Sequence, residues 1–305
     1  MPRTSVLIYN PAAGGQVGDR LVARLARRLE RSGFIVEPRR TAGPGDATRL
    51  AREAVAEGVD VAFALGGDGT LRETAAGLLD TDVALGALPA GTANVLCYEL
   101  GLPRRPTAAA LAFATAEVRE IDVGLAGGWP FLMMVSCGLD AMVMAHADGF
   151  LKRRLGVVGV GLTGLRRWWS YDYPEIRVRF DGRTERVGFF SLSNIPYFGG
   201  PFRMAPDADS LDGRLDLVLF RGRSRWRTLH FAIDVGWGRH GRRDDVEIHR
   251  VREVELLGPC AYGLQIDGDV LPADLPMPLR LSTSRLKVLA PSSPRSRRRS
   301  HRARG

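Results

Sequence analysis

The sequence predicts an α/β chain of two domains, a parallel-sheet domain followed by a mostly antiparallel β domain. Three observations carry this reading. Residues 1–124 alternate strand-like runs with helical patterns. Glycine-rich turns follow three of those strand-like runs. Beyond residue 125 the runs become short and β-branched, separated by Gly, Pro and Asp.

In the first domain, Ser5–Tyr9 reads as a strand; its five residues are too few for the apolar core of about 7–15 residues of a secretion signal. Arg20 to Arg31 then carries Leu21, Leu25 and Leu29 at helical spacing, and Gly33 ends that helix. Phe34–Glu37 is a short strand. Asp46–Glu57 is a helix with Ala47, Leu50, Ala51 and Ala54 inward. Val59–Leu65 is a strand, Leu71–Leu79 a helix and Ala84–Leu88 a strand. Such alternation with short turns implies a parallel sheet covered on both faces, with ligands at the carboxyl ends of its strands.

In the second domain the strand-like runs are Phe131–Ser136, Glu175–Phe180, Arg186–Ser193, Leu215–Phe220, Val246–Arg250, Glu253–Leu257 and Leu279–Leu281. Asp181-Gly182 and Asp212-Gly213 read as hairpin turns. A helical insertion is expected from about Ala141 to Tyr171, and residues 291–305 are low-complexity.

Apolar residues at 45% and charged residues at 25% match an ordinary globular protein, and no run reaches the roughly 18 apolar residues of a spanning helix. Cys97, Cys137 and Cys260 are odd in number and widely spaced, which implies neither a disulfide framework nor a zinc site and fits a reducing cytoplasm. The net charge of +9 is partly concentrated in Arg295, Arg297, Arg298, Arg299, Arg302 and Arg304. That tail is either a solvated, disordered end or an arm attracted to anionic lipid. No recognition motif accompanies it, so nucleic acid is not expected as a partner.

The chemistry-bearing turns are Asn10-Pro11-Ala12-Ala13-Gly14-Gly15, Gly66-Gly67-Asp68-Gly69-Thr70 and Leu88-Pro89-Ala90-Gly91-Thr92-Ala93-Asn94. Glycine lets backbone approach a phosphate, and N–H groups at a helix start attract its charge. Thr70, Thr92 and Asn94 add neutral donors. None of the turns is a Walker loop or a dinucleotide fingerprint.

In order and spacing, these three turns resemble the catalytic domain of the diacylglycerol kinases, a family that includes the sphingosine and ceramide kinases. In the second domain, Phe131 to Val143 looks like that family's Gly-Phe-Asp-Ala segment. Asn194 to Asp216 is similar to a stretch of the bacterial lipid kinases, and Gln265-Ile266-Asp267-Gly268-Asp269 sits where the family has Asp-Gly-Glu. The resemblance spans about residues 4–290. It implies an α/β fold with an N-terminal nucleotide-binding parallel-sheet domain plus a C-terminal mostly antiparallel β-sandwich domain. The expected bounds are 1–124 for the ATP-binding domain, with a final strand 285–290 returning to it, and 125–284 for the lipid-substrate domain; 291–305 is a basic tail.

The resemblance also implies roles. Gly66, Gly67, Asp68, Gly69, Thr70, Leu71 and Arg72, with Thr41, Thr92 and Asn94, look like the ATP site. Asn10, Pro11, Ala12, Ala13 and Gly14 look like an edge that meets substrate or phosphate. Asp68 matches an acidic residue near a catalytic Mg²⁺, and Asp122 one linked to that metal through water. Asp209, Asp212 and the backbone of Arg214 match a second, structural Mg²⁺ site. Asp269 falls at the position of the proton acceptor.

Two departures stand out. Val95 follows Asn94 where the bacterial pattern often has Asp, and Asp269 replaces the usual Glu, one methylene shorter. The implied activity is an ATP- and Mg²⁺-dependent lipid kinase acting on a diacylglycerol-like hydroxyl. A soluble-substrate kinase of the NAD-kinase or phosphofructokinase type, or a non-catalytic nucleotide-binding regulator, stays open. Lys152, Arg153 and Arg154 precede the apolar Leu155–Leu165, and Arg166, Arg167, Trp168 and Trp169 follow. That pattern suits either a membrane interface or a buried helix with solvated ends. The expected location is cytoplasmic with peripheral membrane contact, and a homodimer is left open.

Overall fold

The computed structural model describes residues 2–15, 17–146, 163–164, 166, 168–200 and 202–291. The chain divides into two compact units, one running to Ile121 and resuming at Ser284, the other comprising Asp122–Thr283.

The first unit follows the order β1 (Arg3–Tyr9), α1 (Asp19–Arg31), β2 (Phe34–Arg40), α2 (Asp46–Ala56), β3 (Val61–Gly66), α3 (Asp68–Leu78), β4 (Ala84–Pro89), α4 (Val95–Glu99), α5 (Pro106–Ala112) and β5 (Ala116–Ile121). The last strand of the chain, β20 (Leu286–Pro291), joins them, giving the sheet order β2-β1-β3-β4-β20-β5. β1 to β4 are parallel, and β20 runs parallel to β4 and antiparallel to β5. β3 and β4 are buried throughout, as expected of central strands covered on both faces. The α1 stripe is Val22, Leu25, Ala26 and Leu29, with Leu21 only half-buried at its margin. α3 starts at Asp68, before the expected Leu71, because Gly67 already takes the extended conformation of a helix cap.

The second unit contains β6 (Gly124–Ala126), β7 (Trp129–Phe131), β8 (Met134–Cys137), α6 (Leu139–Ala145), β9 (Ile176–Phe180), β10 (Arg183–Val187), β11 (Phe189–Ser193), β12 (Tyr197–Phe198) and β13 (Phe202–Arg203). There follow β14 (Leu215–Phe220), α7 (Arg225–Gly236), β15 (Val246–Val251), β16 (Glu253–Gly258), β17 (Leu264–Ile266), β18 (Asp269–Leu271) and β19 (Met277–Leu281). Two six-stranded sheets form, ordered β10-β9-β16-β19-β6-β7 and β15-β14-β11-β8-β17-β18. Their facing side chains share one core, including Phe131, Ile176, Val178, Leu256 and Leu279 from the first sheet and Phe190, Leu215, Leu217, Leu219 and Ile266 from the second. This is the antiparallel sandwich expected. Along β14, Val218 and Phe220 point the other way and pack under α7 with Phe231 and Val235.

The structure departs from the sequence expectations in four places. Phe131–Ser136 is not one strand. The buried Asp267 carboxylate takes the N–H groups of Leu132 (2.7 Å), Met133 (3.0 Å) and Met134 (2.9 Å), so the chain leaves the ladder between β7 and β8. Asp181-Gly182 does join the antiparallel pair β9–β10, but Asp212-Gly213 is not a hairpin turn. β14 pairs only with β11 and β15, and Asp122 holds the Gly213 N–H at 2.7 Å. α7 is a helix that the sequence did not announce. Cys137 and Cys260, 123 residues apart in sequence, form a disulfide with Cα atoms 6.2 Å apart, correcting the expectation of no pairing. Sequence spacing hid a contact that β8 and the loop after β16 create.

Of the expected insertion, α6 and residues 168–170 are helical, whereas most of Leu155–Leu165 and the tail 292–305 lie outside the described residues. No helix among the described residues is long and apolar enough to cross a membrane.

Asp267→Ala leaves three buried amides unsatisfied at about 1–3 kcal/mol each, so chemical denaturation is expected to show a loss of at least about 3 kcal/mol. A loss below about 1 kcal/mol would show that water replaces the carboxylate.

Candidate functional site

In the first unit, the turns after β1, β3 and β4 meet at the carboxyl end of the sheet. Tyr9 and Gly66 end their strands, Asn10 N–H donates to Leu65 O at 3.0 Å, and Ala90 N–H donates to Gly66 O at 2.9 Å. Backbone contact between the second and third turns is so close that a Cβ on Gly91 would lie 2.4 Å from Gly67 Cα. No other residue type fits at Gly91 without separating them. Gly14, at φ +55°, likewise brings the first turn against the third: a Cβ there would lie 2.3 Å from Ala90 O.

Side chains then lock the turns. Asn10 Oδ1 accepts Ala12 N–H at 2.9 Å, and its Nδ2 donates to Thr70 Oγ1 at 3.3 Å. Asn94, in the left-handed conformation at φ 47°, uses both ends of its amide on Gly91. It accepts the Gly91 N–H at 2.8 Å and donates to Gly91 O at 2.7 Å. Its side chain shapes the third turn, and Thr92 stands exposed beside it. Thr41 N–H donates to Tyr9 O at 3.0 Å, so the buried Thr41 sits at the same sheet end. Leu71 is in the core and Arg72 is buried, so Leu71 can offer a ligand only its backbone.

The N-terminus of α3 has no side-chain cap, since Gly67 carries none. Its first N–H groups and the helix dipole suit an anion. Asp68 sits in that first turn and also accepts Leu96 N–H at 3.4 Å, linking α3 to the start of α4. Burial, and then the Asp68 charge, push the Cys97 thiol up, which keeps that buried sulfur protonated and inert. An uncapped helix start between touching glycine turns fits a phosphate group.

In the second unit, the expected metal residues form a carboxylate-braced loop. Asp122 is buried, donates its N–H to Ser210 O at 2.6 Å and accepts Gly213 N–H. Asp209 Oδ1 accepts Leu211 N–H at 3.2 Å; Asp212 Oδ1 accepts Arg214 N–H at 2.9 Å while its other oxygen pairs with Arg250. Beside this loop, Asp216 is 2% exposed and its Oδ2 has no partner. Burial first, then the Asp207 and Asp209 charges, push Asp216 up to about 6. Among the described residues no three carboxylate, thiol or imidazole groups converge into a closed metal cage. The donor chemistry there, an orphaned buried oxygen near the charges of Asp207 and Asp209, is the kind a hard cation takes.

Asp269 opens β18 and is exposed, two residues after the buried Asp267. α6 packs on this hairpin and carries Asp140, which sequence reasoning quoted within a motif but gave no role. The Ser136 hydroxyl contacts Asp140 and also lies 2.9 Å from Gln265 Oε1, while Asp140 Oδ1 has no partner. Burial pushes Asp140 up to about 6 against the lowering effect of Ser136. Burial and the Asp140 charge in turn push the Tyr171 phenol up, and its buried oxygen also lacks a partner. Asp140 and Asp216 were missed because a lone Asp in an apolar run carries no spacing signal; only burial without a donor marks it.

Both parts of the chain resemble known proteins. Residues 4–126 match the family model of the diacylglycerol kinase catalytic domain, and residues 133–290 match that of the YegS C-terminal NAD kinase beta sandwich-like domain. A Chromohalobacter salexigens protein named "Probable lipid kinase YegS-like" is 34% identical over 79% of this chain and 80% of its own. A Bacillus subtilis "Diacylglycerol kinase" is 28% identical over 86% of this chain and 88% of its own. The crystal structure of a diacylglycerol kinase from Bacillus anthracis str. Sterne has the same fold, with a TM-score of 0.71 and 19% identity over 95% of this chain and 97% of that one.

Two outcomes are expected. A Cβ on Gly67 meets nothing closer than Gly91 Cα at 3.4 Å, so Gly67→Ala is expected to fold normally. Its methyl intrudes where phosphate approaches, so calorimetry is expected to show ATP affinity falling at least tenfold, about 1.4 kcal/mol; unchanged affinity would move the phosphates elsewhere. For Asp140, the folded value of about 6 exceeds the ordinary 3.8, so stability falls as pH rises from about 4 to 6 and the penalty stays complete above that. Asp140→Asn removes it: thermal unfolding is expected to show a higher melting temperature than the parent at pH 8 and an equal one below pH 4. An equal shift at both pH values would show that ionisation is not the cause.

Proposed function

The chain belongs to the diacylglycerol kinase family, and from that premise we propose that it transfers the γ-phosphoryl group of ATP to a hydroxyl on a diacylglycerol-like lipid, with Mg²⁺. The observation that carries the reading is the uncapped start of α3 between backbone turns that touch at Gly67 and Gly91. Phosphoryl transfer has little covalent chemistry for a protein to perform. It needs positioned phosphates, offset charge and an oriented hydroxyl.

In this reading the Gly66 to Thr70 turn holds phosphate oxygens through backbone N–H groups, and Asn10 and Thr70 keep the first turn against it. By the family resemblance Asp68 would stand near a catalytic Mg²⁺, and Asp122 would reach a Mg²⁺ through water. Mg²⁺, when bound, supplies positive charge that offsets the phosphates and the carboxylates. Asp209, Asp212 and the backbone of Arg214 would hold a second, structural Mg²⁺, and the unpartnered Asp216 beside them supports a cation there. Asp269 accepts the proton of the attacking hydroxyl, directly or through one water, since Asp is shorter than the family's Glu. Peripheral contact with a lipid surface follows from a substrate that resides in membranes; the Arg-rich tail and the basic flanks of Leu155–Leu165 are its first candidates.

Asp269→Asn keeps shape and loses charge, so turnover on a lipid acceptor is expected to fall about 10²–10⁴-fold with nearly constant ATP affinity. Asp269→Glu is expected to retain activity. Wild-type turnover in Asp269→Asn would transfer the role to Asp68.

A further inference from the structure

α7 is a helix whose outward face is as apolar as its inward one. Thr228, Phe231 and Val235 are buried against the second sheet of the sandwich, where Phe231 stacks on Phe220 with ring centroids 4.3 Å apart. On the opposite side, Trp226, His230, Ile233 and Trp237 follow at intervals of four, three and four residues, which places them on one stripe. That stripe is exposed: Trp226 is 62%, Ile233 47% and Trp237 72% accessible. From Trp226 to Trp237 it runs roughly 16 Å at the helical rise.

The stripe continues beyond the helix. Trp168 lies 5.6 Å from the Trp226 ring and 5.9 Å from Trp169, and Trp169 is 62% exposed. Four of the chain's five tryptophans therefore form one surface. Trp168 Nε1 donates to Arg225 O at 2.8 Å, which fixes the segment against the start of α7.

Arginines frame this surface. Arg225 lies 3.9 Å over the Trp169 ring and Arg239 is 5.9 Å from the Trp237 ring. Neither has a carboxylate partner among the described residues. Nearby acids are already engaged: Glu175 with Arg223, Asp234 with Arg243, and Asp245 with Arg227 and Arg243. The rim is left with positive charge, and the centre is tryptophan and isoleucine.

We propose that this face, formed by α7 and Trp168–Trp169, docks on an anionic phospholipid bilayer. Tryptophan combines a large apolar body with an N–H and favours the membrane–water boundary, while arginine over an aromatic ring keeps its charge available to lipid phosphate. A convex helical stripe lies flat in a planar interface, as amphipathic interfacial helices do. The proposal rests on the lipid-kinase reading only for its purpose. Its residues are other than those of the Arg-rich tail and of Leu155–Leu165, with Trp168 and Trp169 closing the run that the sequence singled out.

The test uses the full-length chain with vesicles of phosphatidylcholine and phosphatidylglycerol whose acyl chains carry bromine, which quenches tryptophan only inside the bilayer. The tail holds no tryptophan and cannot produce the signal. Wild-type fluorescence is expected to be quenched. Ile233→Asp retains every tryptophan and places a charge at the centre of an exposed stripe. Quenching is expected to vanish and vesicle partitioning to weaken at least tenfold. Trp226→Ala with Trp237→Ala is the second variant, expected to weaken cosedimentation likewise, while Trp129→Ala, on β7, does not. Ile233→Asp is also expected to phosphorylate a monomeric short-chain diacylglycerol within twofold of the wild-type rate and to lose activity on vesicles. Quenching of Ile233→Asp equal to wild type overturns the proposal, as does a wild-type dimer that the variants dissociate without changing vesicle binding. If no lipid is phosphorylated in either form, the kinase reading fails and the quenching result still decides the docking.

Discussion

The first unit depends on one close approach, the backbone of Gly67 against that of Gly91. β3 and β4 are adjacent and in register to their last pair, Gly66 and Pro89, so their turns emerge side by side. Only because Gly91 carries no Cβ can the turns touch, since a Cβ there would lie 2.4 Å from Gly67 Cα. The consequence is local and chemical. Gly67 cannot cap α3, so the first N–H groups of that helix stay available to an anion. Asn94 and Asn10 spend their amides on keeping the turns in shape rather than on covering that helix start.

The second unit sorts its carboxylates by the same accounting of donors. Asp267 receives three backbone N–H groups and is a structural fixture that sets the path between β7 and β8. Asp122 receives the Gly213 N–H and Asp212 the Arg214 N–H, and both hold the loop before β14. Asp140 and Asp216 each keep an oxygen without a partner, and both are pushed up to about 6. Unsatisfied buried oxygens are costly to folding, so each of the two lowers the stability of the sandwich unless a ligand meets it.

Most of the fold was legible because its signals were local. The apolar stripe of α2 matched its buried residues, and β3 and β4 read as central strands from unbroken apolar runs. The glycine turns were legible as one cluster because they end β1, β3 and β4, which lie side by side in the sheet. What was illegible arises from contacts distant in sequence. Asp267 breaks a strand 135 residues away, and Cys137 meets Cys260 across 123 residues. The Asp212-Gly213 turn looks like a hairpin until Asp122 is seen holding it. α7 escaped for a different reason. Helical periodicity is a contrast between faces, and Trp226, Ile233 and Trp237 erase the contrast by being apolar where solvent is expected.

The central claim is that the phosphate held at the start of α3 leaves as a lipid phosphomonoester. The most direct measurement supplies γ-labelled ATP and Mg²⁺ to the purified chain together with vesicles of mixed lipids and, separately, with NAD and sugar phosphates. The account predicts label in the organic phase, in a phosphomonoester lipid, and none in the soluble acceptors. Label in NADP or in a sugar bisphosphate, with the lipid phase unlabelled, would contradict it.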